Sequence, residues 1–527
     1  MEKINGRKLS LIFIFILILL VIALLVGKFT YSYLGPTISD DLETQGEVTA
    51  SGDTLIFTKG NNLSLSATTD NFTTGGANLS TTTNPKVKLV ASTKTNQASA
   101  TYYVGVLINN NSYVYSTSDK TPELILTIKD ENGNNVTSGV DGLTYVTSGG
   151  VSGFDVTGKT GLFNIKTNYP ISTTSSSIGT THTWTFTLTF VNLGTDQSDN
   201  ENASMNVNVY LQKEKIKETV ATVCSNGQTL SSCIIAMDGK DDTLYHHTSS
   251  LTNGAGDNSY RFAGASDTVN NYVCFGSTQS PCPADNLYRI IGVFGDKVKL
   301  IKYDYATSAL LGTDGDYKQA YTAIWFDSSN YKGNNLANIA GYNWNKSGQN
   351  TWSLSNLNKT NLNQNFITNI GAEWANKIDM TTWKVGGNKF ANIQDQPAKT
   401  AYQNEIVNPV TTNSTDNKTE YSAKIGLMYA SDYGFAAAPS AWATNLYDYD
   451  GSAITNVNWM HMGLVEWTIS RDADSSNLVF RVTDTGGVDS YYVDSLALAV
   501  RPVLYLKASV LFAGGSGTQS DPIRISD

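Results

Sequence analysis

Eighteen consecutive residues near the start of the chain, Leu9 to Val26, carry no charge, and only Ser10 among them is polar. A helix of that length pairs all its own backbone groups and spans a hydrocarbon core of about 30 Å. Lys3, Arg7 and Lys8 precede it, and the positive-inside bias then holds the N-terminus in the cytoplasm. The expected layout is a cytoplasmic tail over 1–8, a transmembrane signal-anchor over 9–30, and everything beyond it outside the cell. A cleaved secretory signal is the competing reading. Its apolar stretch would normally be shorter and end at a small-residue site, and GKFTYSYLGP after Val26 offers none. Both readings export the chain.

The exported part is rich in Thr, Ser, Asn, Gly and Tyr, with only 16% charged residues. Such a composition suits β-rich secreted modules. Net charge is −10. Nucleic-acid binding needs a concentrated basic footprint, and the only dense charge run is KEKIKETV at 213–220, so nucleic acid is not an expected partner. Cys224, Cys233, Cys274 and Cys282 fall in two close pairs around CSNGQTLSSC and CFGSTQSPC. In an oxidising exterior they read as disulfides. Three connectivities are open, and closure of the shortest loops favours 224–233 with 274–282. The spacing does not fit a zinc site.

Residues 31–50 read as a polar stalk. From there to 212 the chain shows short alternating segments: LSLSA, KVKLVAST, TYYVGVLIN, SYVYST, LILTIKD, TYVTS, TWTFTLTFVN and MNVNVYLQ. About eight such strands with turn-forming joints predict an antiparallel β-sandwich over 51–212. Period two places Trp184, Phe186, Leu188 and Phe190 on one face. A linker over 213–222 leads into a different texture. Tyr288–Phe294, Gly295-Asp296 and Lys297–Tyr303 predict a hairpin with a two-residue turn. Leu362, Phe366, Ile370, Trp374 and Ile378 recur every four residues, the apolar face of one helix or of two meeting at Gly371. Region 223–527 is therefore expected to be a loop-rich α+β domain.

Candidates for chemistry are few. The four histidines are His182, His246, His247 and His461, and no H-E-x-x-H, G-x-S-x-G, S-x-x-K or Walker motif occurs. No catalytic residue is assigned. Glycoside hydrolysis needs two carboxylates at defined separation; Glu373, Glu405 and Glu466 are available, but a sequence cannot pair them. Asp238/Asp241/Asp242, Asp314/Asp316 and Asp448/Asp450 are acidic clusters that double as turn chemistry. Asp448 and Asp450, followed by Gly451 and Ser452, are the preferred calcium ligands; no other cofactor is expected. Trp442, Tyr447 and Trp459 are the candidate platform for a ligand. Arg501, in an apolar strand, reads as a buried, paired structural cation, and Asp432 as a helix cap.

Five ordered blocks resemble a domain found on exported Gram-positive proteins: NLYRIIGVFGDKVKLIK (286–302), the W-x-x-S-x-L-N and L-N-x-x-F-I run over 352–367, KIGLMYASDYGFA (424–436), EWTISR (466–471) and AVRPVLYLK (499–507), with GGSGTQSDPIRI (514–525) closing. That resemblance implies a C-type-lectin-like or sulfatase-modifying-factor-like scaffold that presents a ligand surface. TYYVGVLINNNSYVYST, HTWTFTLTFVNLGTDQ and MNVNVYLQ, with FTYSYL after the apolar run, are similar to biofilm-matrix fibre proteins. The expected protein is a non-enzymatic, membrane-anchored surface protein. Its β-sandwich would lift a module that binds an extracellular glycan, cell-wall component or protein. The alternatives are a matrix or fibre component and, behind it, a cell-wall or sugar hydrolase.

Overall fold

The computed structural model describes residues 44–48, 53–72, 76–213, 217–321, 329–333, 336–409 and 418–527. The expected cytoplasmic tail and signal-anchor lie outside these, as does most of the expected stalk. Among the described residues no helix is long and apolar enough to cross a membrane. The fold is mostly antiparallel β-sheet with short helices.

Three sheets make up the first half. One orders Thr44–Val48, Thr54–Thr58, Lys86–Val90 and Thr180–Thr183; a second orders Gly161–Thr173, Ala98–Asn111, Ser204–Gln212 and Leu63–Ser66; a third orders Leu79–Thr83, Thr185–Phe190, Leu124–Lys129, Val151–Asp155 and Thr144–Ser148. All feed one core, from Leu55 to Val209, an arrangement that fits a β-sandwich. Period two accounts for the packing. Trp184, Phe186, Leu188 and Phe190 are each fully buried, as alternate residues on one face must be. Trp184 donates Nε1–H to the Tyr102 hydroxyl at 2.9 Å, and that hydroxyl sits 2.9 Å from His182 Nδ1. Burying a large aromatic is thus achieved without stranding its polar atom.

Two expectations fail in this half. Thr44–Val48 is a strand rather than stalk: it pairs antiparallel with Thr54–Thr58, whose outer backbone groups would otherwise face water. SYVYST over 112–117 is not a strand. Its backbone is claimed by side chains instead: Asn200 accepts from the Val114 N–H at 2.8 Å and donates to the Val114 carbonyl at 2.9 Å, and Glu123 accepts from the Ser116 N–H at 2.6 Å.

A second core runs from Val220 to the C-terminal segment. At its centre is a 7-stranded antiparallel sheet. Six strands run in the order Leu244–His246, Tyr260–Phe262, Leu287–Phe294, Lys297–Lys302, Val503–Tyr505 and Ile425–Gly426, while Tyr272–Cys274 also pairs with Leu287–Phe294. The hairpin forms as the spacing predicts. Phe294 faces Lys297 across a two-residue turn led by Gly295 at φ +64°, a conformation only glycine adopts cheaply. The apolar stripe is likewise two abutting helices. A π-helical segment Leu357–Phe366 continues through Ile367–Asn369, Gly371 breaks it at φ +83°, and Ala372–Lys377 follows. Leu362, Phe366, Trp374 and Ile378 all lie in the core.

Candidate functional site

The densest chemistry lies on one face of the central sheet. Antiparallel partners share a face, so the pairings Arg261–Gly292, Gly292–Lys299, Lys299–Tyr505 and Arg289–Ile301 put Arg261, Lys299 and Arg289 on the same side. Each cation is about 1% exposed. A charge removed from water that far must find replacement for its hydration, and each finds it differently.

Arg261 reaches Asp257 at 2.6 Å and Asp432 at 3.4 Å, and its Nε donates to Ser259 Oγ at 2.7 Å. Its guanidinium also lies over the rings of Phe294, Phe435 and Tyr402 at 4.6–5.4 Å, attraction that strengthens in a dry site. Lys299 Nζ meets the other Asp432 oxygen at 2.5 Å and sits 4.6 Å from the Tyr429 ring centre. Among the described residues Arg289 has no carboxylate partner. It donates to Asn271 Oδ1, Ser266 Oγ and the Val269 carbonyl, between the rings of Tyr272 and Trp459. Burial without an anion draws it down to about 10.

Asp432 therefore does two jobs. It is the third residue of the short helix Ala430–Phe435 and accepts from the Tyr429 N–H at 3.0 Å, as a capping carboxylate does. It also bridges Arg261 and Lys299. Beside it, Glu405 is fully buried, accepting from the Ser431 N–H at 2.8 Å and hydrogen-bonded to Ser470 Oγ. Burial lifts its carboxyl to about 7, opposed by those hydrogen bonds and reinforced by Asp432. A separate pair, Arg501 with Glu466, is bidentate at 2.5 and 2.8 Å, with the Met460 carbonyl as a third acceptor. The structural role expected for Arg501 is thus met by a named partner.

These groups tie loops to the sheet. The Arg261 contacts span 171 residues of sequence to Asp432, and the Arg289 contacts hold the 264–271 loop. Sequence reasoning missed Arg261, Arg289 and Lys299 as a group. The hairpin reading of KVKLIK carried no sign of their burial, yet all its residues but Lys297 are buried.

The residues singled out from the sequence separate in the structure. Cys224 pairs with Cys233 and Cys274 with Cys282, at Cα separations of 5.5 and 5.9 Å. Trp442 and Trp459 are core residues at 1% exposure, donating Nε1–H to the Ala437 and Phe262 carbonyls at 2.8 Å. A sugar cannot reach their faces, so they are not a surface platform. Their partners are backbone carbonyls that no spacing rule announces. Tyr447 is 55% exposed, and Asp448 and Asp450 beside it are exposed too. Among the described residues no group of three or more His, Cys, Asp or Glu side chains is arranged to hold a metal. Asp316, from the TDGD cluster, is wholly buried and accepts from the Lys346 and Leu357 N–H groups, a turn-fixing role. His247 and His461 are buried, which depresses them to about 3 and about 4.

Backbone hydrogen bonds tie the turn that carries Tyr447 to the segment before it. The Tyr447 N–H donates to the Gln394 carbonyl at 2.7 Å and that of Leu446 to the Gln396 carbonyl at 3.0 Å, which lays this turn beside the helix Phe390–Ile393. Asn404 in turn donates to the Asn392 carbonyl at 2.8 Å. The three tied segments carry Phe390, Val407 and Tyr447, each 45–55% exposed. Comparisons with protein-family models, with curated proteins and with solved structures return no match.

Proposed function

We propose that this is an exported, membrane-anchored bacterial surface protein whose C-terminal module, of lectin-like kind, binds an extracellular or cell-wall glycan without catalysis. The observation that carries the reading is the exposed Tyr447, with Phe390 and Val407 on segments tied to it and Asp448 and Asp450 alongside. Aromatic faces stack on sugar rings, and flanking carboxylates accept from hydroxyls, so this is the chemistry a glycan would meet. Beneath it the buried ion pairs hold the loops in place, which lowers the ordering cost of binding. Two cysteine pairs at bonding distance support an oxidising location. Two of the three glutamates considered for a hydrolase, Glu405 and Glu466, are buried and engaged by Ser431 and Arg501.

The test is binding of the whole protein to an array of cell-wall and host glycans. Tyr447→Ala, and separately the Asp448→Asn/Asp450→Asn pair, should each weaken retention at least tenfold with the melting temperature unchanged. Equal retention of all three proteins sinks the proposal. A second reading, as a matrix fibre component, is favoured by one feature: Gly161–Thr173 is a long edge strand, open to pairing with another chain. Concentration-dependent fibres would report it.

A further inference from the structure

The two disulfide loops converge on the same partner. The C-terminal segment folds into a hairpin in which Leu511–Phe512 pairs with Ile525–Ser526, and Val510, Phe512 and Ile523 are buried in the domain core. Its first arm is held by the 224–233 loop. Gly227 and Leu230 donate backbone N–H groups to the Phe512 and Val510 carbonyls at 3.0 and 2.9 Å, and Phe512 returns one to Gln228 at 2.8 Å. Its second arm is held by the 274–282 loop and the strand leading into it. Cys274 donates to the Ile523 carbonyl at 2.9 Å, Ile523 donates to Tyr272 at 2.9 Å, and Arg524 Nη1 donates to the Gln279 carbonyl at 2.7 Å. Each arm of the hairpin thus leans on a loop of about ten residues whose shape a cystine fixes.

We infer that the two disulfides act together as a thiol-sensitive latch on the C-terminal hairpin: intact they hold it against the sheet, and cut by a dithiol they release it while the sheet stays folded. The layout of the sulfurs suits this. Cys233 and Cys274 are buried at 1% exposure, but Cys224 and Cys282 are only half-buried and can be approached. A reductant thiolate attacks Sγ of Cys224 or Cys282, the S–S bond breaks, and Cys233 or Cys274 leaves as a thiolate that takes up a proton. The second thiol of the reductant then displaces the mixed disulfide. Two protein thiols appear for each disulfide formed on the reductant, so electrons and protons balance. The freed loops no longer present their carbonyls and N–H groups in register, and the hairpin loses both supports at once. Leu287–Phe294 and Lys297–Lys302 pair with each other, and the second of them with Val503–Tyr505, through hydrogen bonds that involve neither loop.

Hydrogen exchange of the whole protein, with and without dithiothreitol, reads this directly. The amides of Leu230, Cys274, Phe512 and Ile523 should exchange at least tenfold faster after reduction, and those of Leu287–Phe294 and Lys297–Lys302 should not change. Acceleration spread over the sheet strands would show global unfolding and overturn the latch; so would no acceleration in the hairpin. The paired variants divide the effect: Cys224→Ser/Cys233→Ser should free the Val510–Phe512 arm alone, and Cys274→Ser/Cys282→Ser the Ile523 arm alone. If a serine pair fails to fold, reduction of the folded wild-type protein still decides the matter.

Discussion

Glu405 is a single side chain on which the charge seam turns. With Lys299 and Asp432 close by and the Ser431 N–H and Ser470 hydroxyl as its hydrogen-bond partners, it sits where ionisation is resisted mainly by burial. Its folded pKa of about 7 lies above the unfolded value near 4.5. The folded state therefore binds the proton more tightly. The stability tied to that proton is complete below about pH 4.5 and is lost as pH rises through 7. His247 and His461 act the other way: depressed in the fold, they support stability above about pH 6.5 and withdraw it as pH falls toward 4 and 3. Glu405→Gln keeps an acceptor for Ser431 and gains a donor for Ser470, without the ionisation. Denaturant unfolding should find this variant more stable than wild type at pH 8, by on the order of 1–3 kcal/mol, and nearly equal at pH 5. An equal difference at both values would remove Glu405 as the titrating group. None of this was readable from the chain. Glu405 stood in the sequence as one carboxylate among many, and its partners Ser431 and Ser470 lie 26 and 65 residues away.

At the scale of elements, local signals were legible wherever backbone geometry decides. The Gly295 turn, the Gly371 break, the Trp184–Phe190 alternation and the close cysteine pairs all depend on near neighbours, and all appear where the residues place them. What the chain concealed depends on distant partners. Gly161–Thr173 is a strand although Pro170 and Asn168, the latter at φ +49°, interrupt its pattern. Register shifts between Asn164 and Tyr169 absorb the irregularity. The 112–117 segment has a strand's alternation but lost its ladder to Asn200 and Glu123. Trp442 and Trp459 carry a ligand platform's composition, and only the fold shows that they face inward. Gly292 is another silent requirement. A Cβ there would stand 2.2 Å from the Tyr260 carbonyl oxygen, a backbone atom that cannot step aside. Gly292→Ala should thus split Tyr260–Phe262 from the hairpin, destabilising the domain by more than about 1 kcal/mol. Exchange at the Tyr260 amide, which faces the Leu287–Phe294 strand, is the readout. Unchanged protection would mean that the two strands do not need this close approach.

At the scale of the molecule, the described residues form two large hydrophobic clusters, from which we predict two cooperative transitions. Both cystines lie in the second. Closing loops with sequence separations of 9 and 8 removes about 2.5 kcal/mol of unfolded-chain entropy each on the chain-entropy model. Calorimetry should resolve two transitions, of which reduction lowers only one, and mutation of Trp184 to Ala lowers only the other. A single transition shifted by both treatments would contradict the division. The proposed function places this protein outside the cell. That location is most directly tested on intact cells, with a membrane-impermeant amine reagent applied before lysis and a maleimide applied to the denatured, unreduced protein. The protein should carry the surface label and leave all four cysteines unmodified until a reductant is added. A chain shielded from the surface label, with its four thiols free, would contradict the account.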